Sequence, residues 1–259
     1  MKQIVNGVQL NILESGSGPL TLIFLHYFGG SALEWQTVMD LLSNQYRCIA
    51  VDMRGFGDSE APSTGYSVDD MADDIDDLIR VLAIQTFVLV GHSMTSKVAL
   101  ALAARQPAGL QSLILLSPSP PVPEPIPDDT RQQLLRGYGQ RSAAEETLKK
   151  ITKVPLSEQA QKQIVADNLR SSRAAWDAWL LSGSLEDISA RVGVIDVPIY
   201  IAVGSEDSNL SPDVHRRMVL PYLKNATLDV IDGAAHLLPW EKPDVVAEYI
   251  ANKLQIVRA

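Results

Sequence analysis

Short apolar segments rich in β-branched residues alternate along the chain with longer segments of helical periodicity. The short segments predict strands, and the longer ones, in which apolar positions recur every three to four residues, predict amphipathic helices. The predicted strands are 3–5, 8–13, 20–25, 47–51, 86–90, 112–116, 199–203 and 226–231, the first two forming an antiparallel hairpin. The predicted helices are 32–42, 68–82, 94–105, 212–223 and 244–254. Strands and helices in this alternation are typical of a parallel sheet covered by helices.

Two of the predicted helices begin with residues that fit a capping box. Ser31 is followed by Glu34, and Ser67 is followed by Asp70. In a capping box the hydroxyl and the carboxylate each accept a hydrogen bond from a backbone N–H group at the start of the helix. We therefore predict that both carboxylates lie at helix N-termini.

The alternation of strands and helices is interrupted in the middle of the chain. Six prolines between residues 118 and 127 lead into a segment of mostly helical pattern, and strand 199–203 then restores the sheet. A helical insertion after the carboxyl end of a strand lies over the crevice where open α/β sheets bind ligands. We predict a core domain of residues 1–118 and 191–259 with an inserted helical cap, residues 119–190.

Composition and charge limit the partners that the chain can have. The net charge is −9 and the pI is near 4.9, so nucleic acids and anionic membranes repel this surface at long range. We see neither a signal peptide nor about 20 uninterrupted apolar residues, the length that a membrane-spanning helix requires. Cys48 is the single cysteine, which excludes an intrachain disulfide and suits a reducing compartment. We expect a cytoplasmic protein that binds neither nucleic acid nor membrane, and its oligomeric state is left open.

Metal and cofactor sites are not predicted. Six aspartates lie between residues 69 and 77, but carboxylates near a helix N-terminus and on its exposed face need no ion. No glycine-rich nucleotide loop and no cluster of lysine or arginine that would bind phosphate or coenzyme A is present. We expect no metal and no cofactor.

The strongest motif is an apolar strand, a small residue, a serine and an apolar helix in direct succession. The residues are Gly91, His92, Ser93, Met94 and Thr95. This segment resembles the nucleophile turn G-x-S-x-G of the α/β-hydrolase superfamily, with Thr95 in place of the last glycine. The resemblance implies an α/β-hydrolase fold, a mostly parallel central sheet flanked by helices, and Ser93 as nucleophile. Thr95 indicates altered packing or a polar group near the serine, and the alternative is that Ser93 merely caps a helix.

Further motifs follow in the order that this family uses. Asp207 follows the strand after the predicted cap, and His236 follows the last predicted strand. The resemblance implies His236 as general base and Asp207 as the acid that orients it, with Glu206 as the alternative acid. A serine hydroxyl is a weak nucleophile at neutral pH, and an imidazole can remove its proton and return it to the leaving group. His26 and His92 lie in other motifs, and we expect them to orient or pack.

The segment 25–31 is similar to the family's H-G-x-G-G-S loop, with Tyr27 in place of the first glycine. The resemblance implies that the backbone N–H groups of Phe28 and Met94 form an oxyanion hole. Tyrosine does not readily adopt a positive φ, so either the loop does not require one or strain is tolerated. Tyr27 either lines the pocket or is a buried aromatic residue.

Trp176 and Trp179 lie with two leucines on one helical segment of the predicted cap. They either form an apolar wall over Ser93 or are buried against the core domain. With the motifs above, this pattern predicts a serine hydrolase that cleaves a carboxylic ester or lactone of a small, largely apolar substrate through an acyl-enzyme.

Three other functions are compatible with the same motifs. One is a perhydrolase or cofactor-free haloperoxidase, or a carbon–carbon bond hydrolase, on the same three residues. Another is a ligand sensor with a vestigial triad, because Tyr27 and Thr95 depart from the family pattern. The third is an interaction scaffold, which would have no need of serine, acid and histidine. A haloalkane dehalogenase is disfavoured because it requires an aspartate at position 93.

Overall fold

An eight-stranded, mostly parallel sheet forms the centre of the protein. The structure, a computed structural model, describes residues 1–258 and the side chains of residues 1–255. The strands are β1 (Lys2–Val5), β2 (Val8–Ser15), β3 (Thr21–Leu25), β4 (Arg47–Val51), β5 (Phe87–His92), β6 (Leu110–Leu116), β7 (Ile199–Gly204) and β8 (Ala226–Ile231). Their order is β1-β2-β4-β3-β5-β6-β7-β8, and only the β1–β2 and β2–β4 pairs are antiparallel. The predicted sheet is therefore confirmed, with strand ends that differ by at most two residues.

Helices connect the strands and cover both faces of the sheet. The α-helices are α1 (Gln36–Leu42), α2 (Val68–Val81), α3 (Met94–Ala103), α4 (Asp128–Gly137), α5 (Arg141–Ile151), α6 (Glu158–Arg170), α7 (Arg173–Leu181), α8 (Ser189–Val192), α9 (Pro212–Met218), α10 (Leu238–Glu241) and α11 (Pro243–Arg258). The predicted helix 212–223 is shorter than expected: α9 ends at Met218, and a separate 3₁₀ turn covers Leu220–Tyr222. Pro221 lacks the N–H group that a continued helix needs.

Both faces of the sheet are buried, and alternate residues of each central strand serve opposite faces. Ile23 and Leu25 pack in the cluster that includes α2 and α3, whereas Leu22 and Phe24 pack in the cluster that includes α1 and α11. Burial on both faces explains why β3 is uniformly apolar after Thr21 instead of alternating. Helix α3 is buried at every position, so the turn that precedes it rests on a rigid support.

Helices α4 to α7 lie between β6 and β7, within residues 119–190, the range that we predict as the cap. We call this range the cap segment. Leu148 of α5 packs with Tyr27 of the core, and the Ser31 hydroxyl donates to Asp167 of α6 at 2.8 Å. The cap segment therefore contacts the loop that follows β3. Across residues 1–258, no helix has the length and apolar character needed to cross a membrane.

The two capping boxes predicted from the sequence have different outcomes. Ser67 and Asp70 form both hydrogen bonds of the box at the start of α2. Ser31 accepts from the N–H of Leu33, but the Glu34 side chain turns into the protein, so the second prediction is wrong. Buried polar groups around Glu34 compete successfully with the helix N-terminus for its carboxyl group.

The aspartates of α2 other than Asp70 pair with arginines. Asp69 pairs with Arg105 and Arg191 at the surface. Asp74 is buried, and its carboxylate accepts from Arg54 Nε at 2.6 Å. Arg54 also donates to a backbone carbonyl in the loop before α2. This buried pair attaches the loop after β4 to helix α2.

Replacing Asp74 by alanine leaves the buried Arg54 guanidinium without its carboxylate. Removal of one partner of a buried ion pair costs about 3–5 kcal/mol, so we expect a loss of this size in the free energy of unfolding measured with urea. Asp76 lies on the same helix with a side chain that is 40% exposed. Asp76→Ala is the matched control, with an expected loss below about 1 kcal/mol. Equal losses in the two variants would contradict the assignment.

Candidate active site

Ser93 occupies a strained turn between β5 and α3. Its φ of 53° and ψ of −115° lie outside the regions that non-glycine residues ordinarily adopt. The Ser93 N–H donates to the carbonyl of Leu116 at 2.9 Å, which holds the turn against β6. A Cβ atom at Gly91 would lie 2.9 Å from the Cα of Ser96, so glycine is required where the helix approaches the strand. This geometry is that of a nucleophile turn.

Thr95, the departure from the family pattern, has a definite role in the packing. The side chain is fully buried, and its hydroxyl donates to the carbonyl of Leu25 at 2.9 Å and accepts from the N–H of His92 at 3.2 Å. The threonine therefore links the turn to the end of β3 by a hydrogen bond.

The structure brings together the three side chains that were singled out as a triad. His236 Nε2 lies 2.9 Å from Ser93 Oγ, and His236 Nδ1 lies 2.7 Å from Asp207 Oδ2. The other oxygen, Asp207 Oδ1, accepts from the N–H groups of Asn209 and Leu210 at 3.0 and 2.9 Å. With Asp207 as acceptor, His236 carries its proton on Nδ1 and presents a lone pair to the serine hydroxyl.

Electrostatics match this arrangement. Burial raises the pKa of Asp207, but attraction to His236 and hydrogen bonds outweigh it, so the pKa lies below its ordinary value. Burial lowers the pKa of His236, but the adjacent Asp207 outweighs it and raises the pKa above its ordinary value. The alternative acid, Glu206, is not hydrogen-bonded to the imidazole and instead lies 3.6 Å from Lys153.

The loop after β3 avoids strain at Tyr27. The positive φ falls on Gly29, at 81°, and Tyr27 is not in the left-handed region. Within residues 1–258, no protein group accepts a hydrogen bond from the backbone N–H of Phe28 or of Met94. Met94 is the first residue of α3, where N–H groups have no acceptor within the helix. Both N–H groups are thus free to bind an anionic oxygen.

His26 forms hydrogen bonds that link this loop to the loop after β4. Its Nδ1 donates to the carbonyl of Tyr27 at 2.7 Å, and its Nε2 accepts from the N–H of Met53 at 3.0 Å. Only a neutral imidazole can make both bonds. Burial lowers the pKa of His26, which agrees with that state. His26 is therefore a positioning residue between the loops after β3 and β4.

Glu34 and His92 form a second buried pair that the sequence analysis missed. His92 Nε2 donates to the carbonyl of His236 at 2.8 Å, which leaves His92 Nδ1 as an acceptor 3.0 Å from Glu34 Oε1. Glu34 must therefore be protonated to donate, and its second oxygen accepts from the N–H of Tyr27 at 3.3 Å. Burial raises the pKa of Glu34 to about 8 and lowers that of His92 to about 3, so both are neutral at pH 7. In the sequence, Glu34 stands four residues before Val38 on the apolar face of the predicted helix 32–42. This position is the signal that its carboxyl group is buried.

A cavity of about 410 Å³ opens above Ser93 and His236, beneath the cap segment. Phe28, Trp176 and Trp179 line it, and the rings of Phe28 and Trp176 lie 4.4 Å apart. Both tryptophans are buried against the core as well, so the two interpretations given for them hold together. Tyr27 also contributes to the lining. In the part of the chain that the structure describes, no three histidine, cysteine, aspartate or glutamate side chains are grouped to hold a metal ion.

The Glu34–His92 pair predicts a pH dependence of stability. The folded state holds the Glu34 proton up to about pH 8, whereas an unfolded chain releases it near its ordinary pKa of 4.5. The contribution of Glu34 to the free energy of unfolding is therefore present below pH 4.5 and declines as pH rises towards 8, by at most about 1.4 kcal/mol per unit. In Glu34→Gln the amide donates to His92 without titrating, so the variant gains stability relative to the wild type from pH 5 to pH 8.

Urea unfolding of both proteins at several pH values provides the measurement. Glu34→Leu is the comparison variant, because it removes the hydrogen bonds and is expected to lose about 2 kcal/mol or more at every pH. Parallel pH curves for wild type and Glu34→Gln would show that Glu34 is ionised in the folded protein.

Comparison with known proteins relates this site to a large enzyme family. The model of the family described as alpha/beta hydrolase fold matches residues 21–151, just over half of the 259-residue chain. A 2-(acetamidomethylene)succinate hydrolase from Mesorhizobium japonicum is 39% identical over 116 residues, which are 45% of this chain and 41% of that protein. The aligned region thus spans less than half of that relative.

Solved structures resemble the whole chain. An esterase from Exiguobacterium antarcticum superposes with a TM-score of 0.89 at 23% identity, covering 100% of this chain and 98% of that one. A bromoperoxidase from Bacillus anthracis superposes with a TM-score of 0.87 at 18% identity, covering 98% and 100%. These structures share the fold, and the family match adds the sequence relationship. The protein whose strained Ser93 turn and eight-stranded sheet are described above therefore belongs to the alpha/beta hydrolase family.

Proposed function

We propose that the protein is a serine hydrolase that cleaves a carboxylic ester or lactone of a small, largely apolar substrate through an acyl-enzyme. The observation that carries the proposal is the 2.9 Å approach of His236 Nε2 to Ser93 Oγ at the floor of the cavity. Ser93 is the nucleophile, His236 the general base and Asp207 the group that fixes the histidine tautomer. The resemblance to a solved esterase structure is consistent with this assignment.

The reaction follows from the positions of these groups. His236 Nε2 removes the hydroxyl proton as Ser93 Oγ attacks the carbonyl carbon, and the oxyanion accepts hydrogen bonds from Phe28 and Met94. Collapse of the tetrahedral intermediate breaks the ester bond, and the alkoxide takes the proton from His236. A water molecule then gives a proton to His236 as its oxygen attacks the acyl carbon. Collapse of this second intermediate breaks the bond to Ser93 Oγ, which takes the proton back from His236, and the acid is released.

The lining of the cavity supports a small, mainly apolar substrate. Aromatic rings of Phe28, Trp176 and Trp179 form one wall, and the volume accommodates a short acyl chain with its alcohol. The proposed steps use only groups of the chain and water. We propose accordingly that the enzyme acts on small molecules without a cofactor. Its single cysteine, Cys48, suits a reducing compartment, and we propose the cytoplasm as its place of action.

A perhydrolase is the second candidate, because a bromoperoxidase structure shares the fold over the whole chain. Hydrogen peroxide would replace water in the attack on the acyl-enzyme and release a peracid. Both candidates use the same Ser93 ester, so they differ only in the second nucleophile.

Ser93→Ala is expected to abolish the hydrolysis of short p-nitrophenyl esters and labelling by a fluorophosphonate probe, because both require the serine hydroxyl. Ser96→Ala serves as the control, since Ser96 is buried in α3, directly after the Ser93 turn, and its hydroxyl has no partner among the described residues. Labelling without turnover would favour a ligand sensor over an enzyme. Turnover that persists in Ser93→Ala would refute the nucleophile assignment.

The activity should also depend on pH through His236. The imidazole must be neutral to accept the proton, and its pKa is raised, so kcat/KM is expected to fall as pH decreases through a midpoint above 6.5. Asp207→Asn removes the charge that raises this pKa. We expect a loss of about 10⁴-fold in kcat and a midpoint displaced to lower pH.

Glu206→Gln is the matched control for Asp207→Asn, because the neighbouring carboxylate is partly exposed and lies beside Lys153 instead of His236. Its pH profile and kcat are expected to match those of the wild type. A larger loss in Glu206→Gln than in Asp207→Asn would reverse the assignment of the acid.

A further inference from the structure

Glu124 adds a carboxylate to the cavity that the proposed mechanism does not use. It lines the same cavity as Ser93 and His236. Its Oε2 atom is buried and makes no hydrogen bond of normal geometry among the described residues, although the buried Ser119 hydroxyl lies close enough to lower the pKa of the carboxylate. Buried polar atoms are normally hydrogen-bonded, so a carboxylate oxygen without a hydrogen bond in the same cavity as Ser93 indicates an interaction with a ligand.

The backbone holds Glu124 in a fixed position. Its N–H donates to the carbonyl of Ser184 at 2.7 Å, which joins the two ends of the cap segment. Lys97 of α3 is buried, and its ammonium donates to the carbonyls of Val122 at 3.2 Å and Glu186 at 2.9 Å. The two connections of the cap segment are therefore tied to the helix that follows Ser93. Glu124 presents its carboxylate from a rigid support.

Nearby cations offset the charge of Glu124 only in part. Lys97 and Arg131 are the cations that influence it, but neither forms an ion pair with it within the described residues. Lys97 is occupied by backbone carbonyls, and Arg131 donates to the carbonyl of Leu180 and to the hydroxyl of Ser184. The carboxylate thus retains its capacity to accept hydrogen bonds from another molecule.

Burial is the largest influence on this carboxylate and raises its pKa above the ordinary value. Ser119, Lys97, His236 and Arg131 act in the opposite direction. A donor that reaches Glu124 would compensate for the lost solvation in the same way.

We propose that Glu124 is a specificity-determining residue that accepts a hydrogen bond from an O–H or N–H group carried by the ester substrate. This inference rests on the proposed esterase function and narrows its substrate class to esters with such a donor near the reacting carbonyl. A site that offers a buried acceptor discriminates strongly against an analogue without the donor, because the acceptor then stays unpaired. The donor is either a neutral hydroxyl or amide, or an ammonium group, and a matched set of substrates separates these.

The test uses three p-nitrophenyl esters that differ at one position: 3-methylbutyrate, 3-hydroxybutyrate and 3-aminobutyrate. The readout is the kcat/KM of each donor ester divided by that of 3-methylbutyrate, measured at a pH where His236 is neutral and corrected for spontaneous hydrolysis. Comparing this ratio between the wild type and each variant cancels the differences in intrinsic reactivity among the three esters. We expect the ratio to fall at least about tenfold from wild type to Glu124→Leu for one or both donor esters.

Glu124→Gln distinguishes the two kinds of donor. It also replaces Glu124→Leu as the test variant if the leucine variant does not fold. The amide keeps one acceptor oxygen and loses the charge, so the hydroxy ester should keep most of its ratio and the amino ester should lose it. Glu145→Leu is the control, since Glu145 is exposed on α5 of the cap segment and faces Arg141 at 3.7 Å. Its ratios are expected to match those of the wild type.

Two results would overturn the inference in different ways. Ratios that stay within twofold of wild type in both Glu124 variants, with all esters turned over, would refute the role of Glu124 and leave the proposed function intact. Absence of turnover and of fluorophosphonate labelling in the wild-type protein would refute the proposed function and this inference together.

Discussion

The positive φ of Ser93 is the constraint around which the site is organised. A non-glycine residue keeps such a conformation only where its surroundings enforce it. Here the enforcement comes from three directions: Leu116 accepts from the serine N–H, the Thr95 hydroxyl bonds the end of β3, and Gly91 permits the close approach of α3. The strain lifts the hydroxyl out of the sheet edge towards the imidazole, and helix α3, buried at every position, resists the relaxation that would withdraw it.

Neutral buried histidines connect the loops around this turn. His26 joins the loops after β3 and β4, and His92 joins Glu34 to the backbone of His236. Each imidazole donates from one nitrogen and accepts at the other, and protonation of the ring would remove the acceptor. His236 differs because Asp207 raises its pKa, while burial lowers the pKa of the other two. The same residue type thus supplies both rigid supports and a group suited to carry a proton.

The sheet and the positions of Ser93, Asp207 and His236 at strand ends could be predicted because they depend on local pattern and on the order of motifs. Thr95 was recognised as a departure, but its hydrogen bond to Leu25 depends on a neighbouring strand far away in sequence. Glu34 fitted a capping box by spacing, and only tertiary contacts with Tyr27 and His92 show where its side chain goes. Glu124 lies in a proline-rich segment without a recognisable motif, and the burial of one of its oxygen atoms could not be predicted from the sequence.

The hydrogen bonds from Lys97 to the connections of the cap segment affect which substitutions this enzyme can accumulate during evolution. The Lys97 ammonium binds main-chain carbonyls of Val122, Ser184 and Glu186, so the attachment does not depend on which side chains those positions carry. Substitutions along either connection leave these backbone acceptors in place, whereas the helices between them contact the core through the side chains of Leu148 and Asp167. Side chains that line the cavity can therefore change while the attachment of the cap segment to α3 is retained.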